Sequence, residues 1–152
     1  MIRSILIGAV AGARSLTPLA AVSRAARLRK LPAGSGAPVA LGKTLAASGA
    51  MALALGELAG DKMKSAPDRI VVPGLAARLA TGAIAGAALA PRRQRVLAGA
   101  LGAASAVAAS YLTFNLRMKA LRRFGQTRSG LVEDALVAGA TALIVGTAPK
   151  AA

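Results

Sequence analysis

The chain carries only five carboxylates, and four of them, Glu57, Asp61, Glu133 and Asp134, lie inside or at the edge of apolar runs. A carboxylate in hydrocarbon is expensive and persists only beside a partner or a water-filled cavity. Glu57 and Asp61 stand four residues apart, on one face of a helix. Two acids so placed suit a cation or proton-coupling site, one kept protonated by the charge of its neighbour. The competing use is structural. The same groups neutralise Arg14, Arg78 or Lys62 inside a bundle, and Glu133 and Asp134 complement a helix N-terminus.

The second chemical constellation is Gly12-Ala13-Arg14-Ser15-Leu16-Thr17-Pro18. In a continuous helix the ring of Pro18 clashes with the carbonyl of Arg14 and cannot bond to it. The segment therefore offers a guanidinium, two hydroxyls and a freed carbonyl at a helix break. Broken helices at membrane depth form substrate and ion sites because their backbone groups need partners. Arg selects phosphate and carboxylate through its planar fork. Arg14, Ser15 and Thr17, joined by Arg78, are thus the candidate ligands for an anionic solute or a lipid phosphate. The equal alternative is an internal ion pair between Arg14 and Glu133 or Asp134, since an unpaired guanidinium at that depth outweighs the surrounding aliphatics.

Other chemistry is scarce. The chain of 152 residues has no His, Cys or Trp, one Tyr and two Phe, which removes imidazole acid–base catalysis, thiol chemistry, thiolate metal sites and aromatic platforms for single-stranded nucleic acid. No phosphate-cradling loop, HExxH or GxSxG pattern occurs. An enzyme is disfavoured, and neither a cofactor nor a metal is expected.

The elements that position these residues follow from an unusual balance: 55% hydrophobic residues together with a formal net charge of +15 and a mean hydropathy of +0.58. A pI near 12 first suggests nucleic acid, because Lys and Arg neutralise phosphates. The charges instead fall in bursts, Arg24 to Lys30, Lys62 to Arg69, Arg92 to Arg95 and Arg117 to Arg128, separated by apolar runs of roughly the 20 residues a bilayer needs. Basic bursts flanking apolar runs are membrane loops. The expected partner is a lipid bilayer, with anionic headgroups as candidate ligands and no nucleic acid.

Five apolar segments result, at about 4–22, 39–60, 70–90, 96–116 and 131–148. Val96 to Leu116 is the clearest, with no charge, Arg on both flanks and Tyr111 and Phe114 near one end as interfacial anchors. Segment 39–60 is continuous if Lys43 snorkels. Segment 70–90 opens with Pro73 and Gly74, and proline is tolerated in a first turn. In the last segment Ser129 is placed to cap. Segment 4–22 holds seven large aliphatics, each worth roughly 0.3–0.6 kcal/mol toward insertion, nearly cancelled by the roughly 2.5–3.5 kcal/mol of a central Arg14. It is therefore broken or re-entrant near Pro18. A signal peptide cleaved after Ala11 or Ala13 is the lesser alternative.

Loop charge does not orient the chain. Five spans place nine basic residues on each side, and a first segment that enters and returns gives ten against eight. Three GxxxG pairs, Gly8/Gly12, Gly56/Gly60 and Gly82/Gly86, allow close helix approach. Internal packing is their favoured use, a homodimer face the alternative. The stretches Gly74 to Arg78 and Gly130 to Asp134, each after a basic-Met-Lys turn (Lys62-Met63-Lys64 and Arg117-Met118-Lys119), suggest two related hairpins in which Arg78 and Asp134 are equivalent.

GARSLTPLA (12–20), GELAGDK (56–62), SAPDR (65–69), ARLATGAIAGAALA (77–90) and LVEDAL (131–136) together resemble the small bacterial membrane-protein family called domain of unknown function 4126. The resemblance spans most of the chain. It implies a multi-pass protein of the bacterial inner membrane with the N-terminal segment retained, and it supplies no activity.

The expectation is one all-α integral membrane domain, residues 1–152, built as a compact bundle of four to five transmembrane helices. Two function classes follow. One is a transporter or lipid-handling protein for an anionic solute or phosphate headgroup. The other is a non-transporting membrane scaffold or assembly partner whose buried charges fix helix register.

Overall fold

A computed structural model describes residues 1–60 and 71–148. Within them the chain is all-α: α1 (Ile2–Ala13), α2 (Leu16–Arg27), α3 (Thr44–Gly60), α4 (Val72–Ala88), α5 (Arg95–Phe124) and α6 (Gln126–Gly146), with short 3₁₀ turns at Val39–Gly42 and Arg92–Gln94. α5 and α6 are each long and apolar enough to cross a membrane.

The first two helices form a hairpin. At the start of α1, Arg3 donates to the carbonyl of Thr147 at 2.7 Å and Ser4 Oγ to the carbonyl of Gly86 at 2.9 Å. At its end, Arg14 lies against Asp134 of α6. α2 then returns: its Val22 and Ala25 share an apolar cluster with Ile7, Ala85, Ala88, Leu89 and Ala148, at the end where α1 began. The tip is Arg14-Ser15, with Arg14 extended at φ −139° and ψ 112°.

The break therefore falls four residues ahead of Pro18. Pro18 sits in the first turn of α2, where a missing N–H has no intrahelical partner to lose. The clash expected of a continuous helix does not arise.

α5 is the central helix, and α1 and α4, which also pack on each other, both lie against it. Glycines make this possible. A Cβ added at Gly12 would lie 2.5 Å from the carbonyl of Ala106, one at Gly82 2.7 Å from that of Gly102, and one at Gly86 2.6 Å from that of Ala98. Gly8/Gly12 and Gly82/Gly86 thus bring α1 and α4 to backbone contact with the same stretch of α5, around Gly102 and Ala106. A Cβ added at Gly56 or Gly60 would meet nothing within 4 Å among the described residues, so the third pair makes no such close approach to them.

Three other expectations are corrected. Segment 39–60 is not one helix: a 3₁₀ turn ends at Gly42, Lys43 is extended (φ −68°, ψ 145°), and α3 begins at Thr44. Lys43 is exposed and has no apolar wall along which to snorkel. Segment 96–116 extends to Phe124 over 30 residues, about 45 Å at 1.5 Å per residue. The run Leu116 to Leu121 consists of good helix formers, and the first stop is Gly125 at φ 78°, a left-handed backbone that glycine adopts freely. Arg117-Met118-Lys119 is consequently helix rather than turn, which removes one of the two turns on which the internal repeat rested; Lys62-Met63-Lys64 lies outside the described residues. Finally, α6 starts at Gln126. Ser129 does not cap it but donates back to the carbonyl of Gly125 at 2.7 Å, and Glu133 and Asp134 sit about two turns in, beyond the reach of the helix-end dipole.

Candidate functional site

The sequence candidates converge at the hairpin tip. The start of α2, whose first N–H groups have no intrahelical acceptor, meets the Glu57 turn of α3 there. The Glu57 carboxylate accepts from the Ser15 N–H at 2.9 Å, the Ser15 hydroxyl at 2.8 Å and the Leu16 N–H at 2.9 Å. Arg14 Nη1 in turn donates to the Glu57 carbonyl at 3.4 Å. A carboxylate at a helix N-terminus also meets the positive end of the helix dipole. With Pro18 lacking an N–H, Glu57 leaves only the Thr17 N–H among the first four donors of α2.

Arg14 is 1% exposed and is the largest fully buried side chain among the described residues. Its Nη2 donates to Asp134 Oδ1 in an ion pair between the tip and α6. Of the two late carboxylates named for Arg14, Asp134 pairs with it. Glu133, its neighbour, faces another way and accepts from Arg117 Nη1 at 2.8 Å, joining α6 to α5 across the Gly125 corner.

The remaining candidates are distributed around this tip. Arg78, on α4, is 5% exposed, and its carbonyl accepts from the Thr81 hydroxyl at 3.2 Å. Thr17 Oγ1 is buried with no hydrogen-bond partner among the described residues, so it is not joined to the Glu57 cluster as Ser15 is. Asp61, and with it the expected Glu57/Asp61 face, lies outside the described residues. Among the described residues no three carboxylates converge to hold a metal ion.

Two features had no counterpart in the sequence reading. One is the capping of α2 by Glu57; the only available signal was a Ser-Leu-Thr-Pro helix start that needs an acceptor. The other is a cavity of about 580 Å³ between α2, α3 and α6, walled by residues such as Ala20, Met51, Leu55 and Ala142, with Arg24 and Lys30 among its lining. No family model, curated protein or solved structure matches this chain.

Proposed function

We propose that the protein is a multi-pass membrane protein of the non-transporting class, a scaffold or assembly partner in which Arg14, Glu57 and Asp134 act as a structural lock. The observation that carries this reading is the use of these groups by one another. Arg14 is ion-paired to Asp134 and bonded to the Glu57 carbonyl of α3, and the Glu57 carboxylate is occupied by three donors from the start of α2. An anion site at Arg14 would have to break a buried pair, at about 3–5 kcal/mol for an uncompensated charge.

Membrane placement has separate support. The buried positions are dominated by Ala, Gly and Ser together with Arg14 and Arg78, while Leu45, Leu53, Leu97, Leu112, Leu136 and Leu143 are exposed. Small residues inside and large aliphatics outside suit a lipid surround. In this reading α3 to α6 are the passes, and α1 with α2 enters and leaves on one side. That corresponds to the ten-against-eight division of basic residues, which is too even to choose the cytoplasmic face. The resemblance to domain of unknown function 4126 favours a bacterial inner membrane, and no enzymatic role is proposed.

The test is flux. Reconstituted vesicles loaded with phosphate, small organic anions or lipid-linked phosphates are expected to show no movement above empty vesicles. Movement that Arg14→Ala abolishes while helicity and melting are retained would refute the lock. One observation favours a second reading, lipid handling: the basic lining of the α2–α3–α6 cavity, which involves Arg24 and Lys30 rather than Arg14.

A further inference from the structure

α3 and α6 both pack on α2 yet make little contact with each other. Their divergence opens the lateral cavity over α2, and its volume, about 580 Å³, falls in the range of small-molecule sites, roughly 300–1,000 Å³. The lining is graded. Thr17, Leu58 and Ala138 form the end toward the hairpin tip, and Arg24, Leu28, Lys30 and Gly146 form the end toward the feet of the hairpin. Among the described residues no carboxylate lines it. An apolar slot with two exposed cations at one end is complementary to an amphiphile with an anionic head.

A second observation concerns a hydroxyl. Helical Ser and Thr side chains here characteristically bond to a carbonyl one turn back: Ser110 to Ala106 at 2.7 Å, Thr113 to Ala109 at 2.7 Å, Ser129 to Gly125 at 2.7 Å and Thr147 to Leu143 at 2.6 Å. Thr141 does not, and neither do Thr17 and Ser23 on α2. Thr141 is 3% exposed and lines the cavity, and its buried Oγ1 has no hydrogen-bond partner among the described residues, so a rotation about χ1 is what would turn it to a ligand there. A buried hydroxyl without an acceptor is unfavourable by itself and is satisfied if a bound ligand brings one. Thr141 lies five residues before Gly146, about 7–8 Å deeper along the helix, below the level of the basic end.

The geometry points to a site for one anionic glycerophospholipid, its phosphate at Arg24 and Lys30, an ester carbonyl accepting from Thr141 Oγ1, and an acyl chain along the Ala20–Leu55–Ala138 walls. The proposal rests on the membrane reading and gives the lipid-handling alternative a ligand class and a location separate from Arg14. An acyl ester supplies the acceptor that Thr141 lacks, the phosphate supplies the charge that the mouth lacks, and neither inorganic phosphate nor a fatty acyl chain alone supplies both.

The experiment is native mass spectrometry of the full chain in detergent micelles, titrated with equimolar phosphatidylglycerol and phosphatidylcholine. One phosphatidylglycerol per chain is expected, in preference to phosphatidylcholine. Arg24→Gln with Lys30→Gln, both at exposed positions, should lower phosphatidylglycerol affinity about 30-fold, two basic residues acting on one anionic head, and leave phosphatidylcholine unchanged. Thr141→Val should weaken both diacyl lipids by about 2- to 10-fold and leave a diether phosphatidylglycerol, which has no ester carbonyl, unaffected. Melting of each variant reports whether the fold survives. Equal retention of both lipids by the parent chain, or affinity unmoved by either variant, overturns the site. So does a lipid-free dimer that crosslinks between Leu55→Cys and Ala142→Cys of different chains, since a partner helix then fills the cavity. Failure of the membrane reading is read separately: alkaline carbonate would release the chain from membranes, whereas a chain that resists extraction but ignores the headgroup refutes the cavity site alone.

Discussion

Glu57 caps a helix that begins 41 residues before it: its carboxylate takes the Ser15 and Leu16 N–H groups, each at 2.9 Å. A capping residue is ordinarily the helix's own neighbour in sequence. Here the cap comes from the end of α3, so the start of α2 forms only when α3 is in place. The consequence is measurable. Glu57→Ala removes the acceptors and leaves the α2 N-terminus short of partners, an expected loss of about 1–3 kcal/mol. Glu57→Gln keeps one acceptor oxygen and loses the charge that favours the dipole, so a smaller loss, about 0.5–1.5 kcal/mol, is expected. Melting in detergent orders the three proteins parent, Gln, Ala. A Gln variant as stable as the parent would favour a role for the Glu57 charge outside the fold.

The glycine pairs make a prediction of opposite signs from one motif. Gly82→Leu must displace α5 backbone, because even a Cβ there lies 2.7 Å from the Gly102 carbonyl. Overpacking of about 1–3 kcal/mol or outright misassembly is expected. A Cβ added at the exposed Gly56 meets nothing within 4 Å among the described residues, so Gly56→Leu should leave the monomer fold intact, with a gain in helix propensity of up to about 1 kcal/mol. Thermal melting compares them directly. A destabilising Gly56→Leu would reveal a contact made by a second copy.

In the proposed multi-pass arrangement the hairpin puts both of its feet on one membrane side. The chain has no Cys, so single cysteines report cleanly with an impermeant thiol reagent on sealed vesicles. Arg3→Cys and Arg29→Cys, at the two feet, should label from the same side, and Arg123→Cys near the far end of α5 from the opposite one. Labelling of positions 3 and 29 from opposite sides would require the first segment to cross completely.

Much of this architecture was legible from residue types, and the failures have physical causes. The pairing of Arg14 with a late carboxylate follows from scarcity, since a buried guanidinium had few acids to choose from. The apolar helix after Pro73 follows from position-specific proline rules. A break near Pro18 is legible in Gly12–Pro18, but its place at Arg14–Ser15 is not, because the same rules admit proline in a first turn and only the fold decides where that turn begins. Gly56/Gly60 and Gly82/Gly86 carry identical spacing, yet spacing holds no information on whether a neighbouring helix is present. The Arg117 burst read as a loop because charge was weighed above helix propensity, and Gly125 proved the true stop. The cavity is invisible in sequence because it arises where α3 and α6 diverge.

The central claim, that Arg14 belongs to a lock and not to an anion site, is tested most directly by a double-mutant cycle on Arg14 and Asp134, read as unfolding free energy in detergent. Arg14→Met and Asp134→Leu should each cost about 3–5 kcal/mol by leaving the other charge buried, and the double variant should cost much less than their sum. Arg117→Met with Glu133→Leu provides the scale: that pair is 13% and 18% exposed, and a weaker coupling than for Arg14–Asp134 is expected. Additive costs for Arg14 and Asp134, with no coupling between them, would contradict the lock and return Arg14 to the role of a ligand for something outside the protein.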